Sequence, residues 1–181
     1  MKKIFITIFC SGILLACNNS KTETDNSMVK NASDTKPQQA EFADAKYTDM
    51  GKQMIKEFES GDIESYVNMF ADNAVYSWSS GDSLAGKKAI MDYWKDRRMN
   101  LIDSIHFSND IWLPIKINQP QKGPDVPGNW LLSWYQVEAK YKTGKKLGFW
   151  VHTDYHFDAN DKIDRAIQYI DMAPIKAATM K

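Results

Sequence analysis

The chain has 181 residues, 43% of them hydrophobic, with six Trp, which is ample for one globular core. Its 23 basic residues are matched by 23 acidic ones. That balance leaves no concentrated basic surface, so no nucleic-acid partner is expected.

Met1, Lys2 and Lys3 make a short basic start, and residues 4–15 form an apolar run broken only by Thr7, Ser11 and Gly12. Leu14, Leu15, Ala16 and Cys17 close it. A charged start, a short apolar run and a small residue before a cleavage point read as a secretory signal; the run is too short to span a bilayer. The Leu-Leu-Ala-Cys ending resembles the lipobox of bacterial lipoproteins. The resemblance implies a signal peptide over 1–16, cleavage before Cys17 and lipidation of Cys17. It also implies a lipid anchor in a membrane of the bacterial cell envelope, with the folded domain outside the cytoplasm. Lasting attachment takes more than one acyl chain, since each buried methylene contributes only about 0.8 kcal/mol. Cleavage removes Cys10 and leaves Cys17 blocked, so stability must come from packing without disulfides.

Residues 17–42 are rich in Asn, Ser, Lys, Thr, Glu, Asp and Gln, and up to Ala40 they hold no aromatic residue. Such a stretch buries too little apolar surface to offset the entropy of ordering and is expected to be a disordered, lipidated tether. The folded domain is expected over 43–174, with a tail at 175–181.

Within the domain, Tyr47, Met50, Met54 and Phe58 recur at helical spacing, and Gly61 is a stop. Asp62 is a good N-cap for a second helix with the stripe Ile63, Tyr66, Val67 and Phe70. A turn at Ala71, Asp72 and Asn73 precedes a short strand at 74–78. Residues 79–82 turn the chain, and Gly86 precedes a third helix with Ile90, Tyr93 and Trp94 on one face. The pattern then changes to strands: 101–107, 111–117 with Pro114 favouring an edge or bulge, a long loop at 118–129, then 130–141, 147–157 and 163–172. Helices followed by an antiparallel meander predict an α+β fold with the helices on one face of a sheet.

Alternation assigns the faces. Tyr135, Val137, Ala139 and Tyr141 share the inner face with Val151, Thr153, Tyr155 and Phe157. Trp134, Gln136, Glu138 and Lys140 share the outer one with Trp150, His152, Asp154 and His156. The last strand stays open between Ala166, Gln168, Ile170 and Ile167, Tyr169, Asp171.

Three blocks resemble the nuclear transport factor 2-like superfamily in its SnoaL-like branch. They are Gly61-Asp62-Ile63 with Tyr66 to Phe70 and Ala71-Asp72-Asn73-Ala74-Val75; Leu84-Ala85-Gly86-Lys87-Lys88-Ala89-Ile90; and Asp161-Lys162-Ile163 with Tyr169-Ile170-Asp171. The resemblance covers about 44–172, with 118–129 as an insertion. It implies a cone: a curved antiparallel sheet wrapped around about three N-terminal helices, with a pocket at one end. Members include ketosteroid isomerases, polyketide cyclases, dehydratases and non-catalytic binding proteins, so the fold alone does not give the function. Where the isomerases carry a catalytic Tyr, a base Asp and an oxyanion-stabilising Asp, this chain has Met54, Trp78 and Thr153. Ketosteroid isomerase chemistry is therefore rejected.

The resemblance implies a pocket of Met54, Trp78, Trp94 or Tyr93, Tyr135, Val137, Thr153, Tyr155 and Gln168, which suits a small apolar or aromatic ligand. A filled aromatic core without a cavity is the competing reading. On the outer face, His152, Asp154 and His156 sit two apart, with Glu138 alongside. They read as a metal site, an acid–base cluster or a polar outer face; the third is preferred, since no further ligand completes a site. Trp134 and Trp150 on that face favour an interface, for instance of a homodimer. No cofactor or metal is expected. The leading reading is an envelope lipoprotein that binds a small ligand or acts as an accessory subunit. The alternatives are a SnoaL-like cyclase, isomerase or hydrolase with another residue set, and an interaction module acting through the outer face.

Overall fold

The computed structural model describes residues 38–119 and 126–180. The expected signal peptide, Cys17 and most of the tether lie outside the described residues, as does the middle of the 118–129 loop. The elements run β1 (Ala40–Phe42), α1 (Lys46–Ser60), α2 (Ile63–Asn68), β2 (Phe70–Trp78), β3 (Ser83–Ala85), α3 (Lys87–Asp96) and a π-helical turn (Arg97–Leu101). Then come β4 (Ile102–Ile117), β5 (Gly128–Tyr141), β6 (Lys146–Phe157), β7 (Ile163–Tyr169) and α4 (Met172–Thr179). The seven strands form one curved, unclosed sheet in the order β1-β4-β5-β6-β7-β2-β3.

The first helix forms on the stripe its spacing predicts: Tyr47, Met54 and Phe58 are buried. Gly61 ends it in the left-handed region at φ 88°, where a residue without Cβ meets no steric penalty. Arg98 also closes this end, donating from Nε to the Phe58 carbonyl (3.2 Å) and from Nη2 to that of Glu59 (3.1 Å). Asp62 then caps α2, its Oδ1 accepting from Ser65 N at 3.0 Å. A Cβ at Gly51 would lie 2.5 Å from Trp112 Cζ3 and 2.7 Å from Leu131, so α1 lies hard against β4 and β5.

Several local expectations change. The two extended stretches before the long loop are one strand, β4, bulged between Ser108 and Ile111, with Asn109 at φ 52°. A single left-handed Asn bends a strand without ending it. The expected turn at Ala71–Asn73 is likewise an irregularity inside β2, and Phe70 opens that strand instead of closing the α2 stripe. Pro114 sits where β4 meets the short edge strand, and its carbonyl accepts from Ala43 N at 3.1 Å. Ala40–Phe42, read as the end of the tether, pairs with β4 as β1, and most of the expected tail is α4. The sheet is antiparallel except where β2 pairs with β7 in parallel.

The alternation of β5 and β6 places the core as expected. Tyr135, Val137, Ala139, Tyr141, Val151, Thr153, Tyr155 and Phe157 are all buried. The face left open on β7 is now fixed: Ala166 and Gln168 are buried while Tyr169 is exposed. His156 departs from its outward set and is buried. It packs on Trp130 and bridges Asp164 to the Pro127 carbonyl, beneath the chain entering β5.

Candidate functional site

The inner face of the sheet, the three N-terminal helices and α4 line a partly open cavity of about 100 Å³. α1 contributes Met54 and Phe58, α2 contributes Tyr66, and β2 contributes Tyr76 and Trp78. α3 and the π-helical turn add Tyr93, Trp94 and Arg97; β5 and β6 add Tyr135, Val137 and Tyr155; β7 adds Gln168. Helical spacing and strand alternation deliver these side chains to one side of their elements.

The wall is a connected set of rings. Trp94 meets Phe58, Tyr76 and Tyr93 edge-on, at centroid distances of 5.3, 5.5 and 4.9 Å. Trp78 lies 5.0 Å from both Tyr76 and Tyr93. Edge-to-face pairs of this kind add to the burial term and hold the rings in fixed orientations.

Some polar atoms in and behind the wall are paired. Trp78 Nε1 donates to Gln168 Oε1 at 3.0 Å, a buried bond between β2 and β7. Ser133 Oγ donates to the Thr153 carbonyl at 2.8 Å, and the Tyr135 hydroxyl lies 3.3 Å from Thr153 Oγ1. Burial pushes the phenols of Tyr66, Tyr76 and Tyr155 well up, and that of Tyr135 up as well. They stay protonated near neutral pH and can donate, but none can serve as a base. Burial raises the Tyr93 phenol too, with Arg97 beside it pulling the other way. Arg97 stacks on Tyr93, its guanidinium carbon 4.5 Å from the ring centroid. The described lining residues include no Asp, Glu or His.

Of the residues expected in a pocket, Met54, Trp78, Trp94, Tyr135, Val137, Tyr155 and Gln168 line this cavity. Thr153 is fully buried just behind it, bonded to Tyr135. Tyr93 and Trp94, posed as alternatives, both line it. Arg97 was missed. The signal was present, because Ile90, Tyr93, Trp94 and Arg97 continue one helical stripe, but a charged residue at its end reads as solvent-facing.

The outer-face residues do not converge on one site. His152 is stacked between Trp134 and Tyr169, at 4.4 and 5.2 Å, and its Nδ1 donates to the Ser133 carbonyl at 2.8 Å. Its Nε2 lies 3.0 Å from Asp154 Oδ1. Glu138 and Trp150 are exposed, while His156 is buried with Asp164. Among the described residues no group of three or more His, Cys, Asp or Glu is placed to hold a metal ion.

The model of the SnoaL-like domain family matches residues 52–166. This chain belongs to the SnoaL-like domain family, within the nuclear transport factor 2-like superfamily. No curated protein matches the SnoaL-like chain in sequence. Among solved structures it is similar to a candidate polyketide cyclase from Xanthomonas campestris pv. campestris. There the TM-score is 0.57 at 12% identity, over 74% of this chain and 96% of that one. A candidate polyketide cyclase from Pseudomonas putida KT2440 gives 0.58 at 10% identity, over 74% and 97%. A candidate isomerase from Bacillus subtilis gives 0.54 at 18%, over 72% and 93%. At these identities the likeness shows the fold of the SnoaL-like domain alone.

Proposed function

We propose that this SnoaL-like domain is the ligand-binding part of an envelope lipoprotein, and that its cavity holds a small apolar or aromatic molecule. The observation that carries this reading is the wall itself. It offers ring faces, protonated phenols, an amide and one guanidinium, and its described residues offer no group that takes up a proton near neutral pH. The free volume of about 100 Å³ sets the scale of the ligand. A cavity of about 150 Å³ accommodates benzene, and pockets for drug-sized ligands start near 300 Å³. A body of about one ring is what fits, with part of it at the opening.

The rival reading is catalysis of the cyclase or isomerase kind, which the names of the structural neighbours suggest. The feature that favours it is the pair of hydrogen-bonding groups at Gln168 and Tyr135, both on the cavity wall, which could hold a developing oxyanion. Two measurements on the full-length chain separate the readings. Ligand-observed NMR with toluene and benzyl alcohol is expected to show saturable binding that Val137→Trp, which fills the cavity, abolishes. Incubation with 3-cyclohexenone is expected to return it unchanged. Conversion to the conjugated enone at a rate that Val137→Trp suppresses would establish the enzyme reading instead. Absence of saturable binding by every one-ring probe would overturn the cavity reading.

A further inference from the structure

We infer that the cavity selects a one-ring ligand carrying an anionic group, a carboxylate above all, and that Arg97 recognises the charge. This rests on the binding reading above and adds the chemical class of the ligand.

Arg97 follows Ile90, Tyr93 and Trp94 by seven, four and three residues, so it continues their inward stripe and not the outer surface of α3. It is half-buried and lines the cavity. The π-helical turn begins at this residue, and such widened turns recur at functional sites.

Among the described residues its charge meets the Tyr93 side chain but is neutralised by no carboxylate. No carboxylate of the described residues lies within ion-pair distance of Arg97. Its one close aromatic partner is the Tyr93 face. Among the described residues its buried Nε has no hydrogen-bond partner, and neither has Trp94 Nε1, three residues earlier on the same stripe. Buried unpaired donors are rare, because each forfeits its bond to water. Two of them on adjacent cavity-lining residues mark a place where an acceptor is missing. Neighbouring Arg98 shows the contrast, since its donors are taken up by the carbonyls ending α1.

The chemistry of the missing acceptor follows. A guanidinium against an apolar wall attracts an anion more strongly than it would in water. A carboxylate accepts two parallel N–H bonds from the guanidinium fork, which a hydroxyl or carbonyl does not match. An ammonium group is repelled. The small cavity restricts the rest of the ligand to about one ring.

The test compares three probes of one size on the full-length chain at neutral pH: benzoate, benzyl alcohol and benzylammonium. Benzoate is expected to bind roughly 10- to 100-fold tighter than benzyl alcohol, the range for hydrogen bonds to charged groups, with benzylammonium weakest. Added salt should weaken benzoate alone. Arg97→Gln should erase the preference by weakening benzoate far more than benzyl alcohol, and circular dichroism with thermal unfolding reports that the variant is folded. Arg97→Lys keeps the charge without the fork and should retain only part of the preference. Equal binding of benzoate and benzyl alcohol, or a preference that survives Arg97→Gln, overturns the inference and leaves the binding reading intact. Failure of all three probes to bind overturns both.

Discussion

Asp154 sits on the outward side of β6, yet among the described residues its buried Oδ1 receives no well-directed hydrogen bond. His152 Nε2 is 3.0 Å away. Burial pushes the Asp154 carboxyl up, and the pull of His152 in the other direction does not compensate. A carboxyl raised in the folded state contributes stability that is fully present below its unfolded value, near 3.9, and lost as pH rises through the folded value. Asp154→Asn removes the buried charge. It is therefore expected to stabilise the domain by about 1 kcal/mol at pH 7.5 and to change little at pH 3.5. Urea unfolding of both proteins at the two pH values measures this, and a loss of stability at pH 7.5 would show that the His152 contact outweighs desolvation. Alternation alone put Asp154 on the polar face, which is correct as a direction. It could not reveal the burial, because that depends on the Trp134–His152–Tyr169 stack assembled from three strands. Arg97 failed in the opposite sense: its residue type argued for solvent, and only the packed cavity shows it turned inward.

Elements whose signal is local were legible. α1, α2 and α3 follow their apolar stripes, and the caps at Gly61 and Asp62 fall where their residue types predict. The long strands β5 and β6 follow period-2 alternation through an unbroken register from Asn129↔Phe157 to Lys140↔Lys146. What escaped was short or non-local. β1 and β3 have three residues each, too few for a period, and the parallel pairing of β2 with β7 joins segments almost a hundred residues apart. That α1 packs on the sheet was expected, but its close approach to β4 and β5 at Gly51 escaped, and Gly51 tests it. Helix propensity favours Ala over Gly by up to about 1 kcal/mol. Against that, a Cβ would meet the stiff Trp112 indole at 2.5 Å and Leu131 at 2.7 Å. Overpacking of this kind costs about 1–3 kcal/mol, so the clash wins. Gly51→Ala is expected to destabilise by about 1–2 kcal/mol net, whereas Gly148→Ala, with nothing within 4 Å of its Cβ, is expected to be tolerated. Denaturant midpoints for the two variants decide it; a stabilised Gly51→Ala would mean that Trp112 moves freely away from α1.

At the scale of the whole molecule, the proposed attachment and the folded core fall on different parts of the chain. The core is built from residues between Tyr47 and Ala178, and among the described residues no helix is long and apolar enough to cross a membrane. The proposal of membrane attachment therefore rests on residues 1–17, with the Leu-Leu-Ala-Cys ending as its chemical basis. One acyl chain gives only marginal, reversible binding, so a stable anchor requires at least two chains on Cys17. In a bacterial host the wild-type protein should sediment with membranes. Its intact mass after detergent extraction should correspond to a chain starting at Cys17 plus two or three acyl groups. Cys17→Ser removes the acceptor sulfur and should leave a chain that is unprocessed or found in the soluble fraction. Its thermal unfolding should match that of the wild type, since none of the core residues is altered. An unacylated mature N-terminus at any residue other than Cys17 would show that the signal is an ordinary secretory one, and that the SnoaL-like domain is released and not tethered.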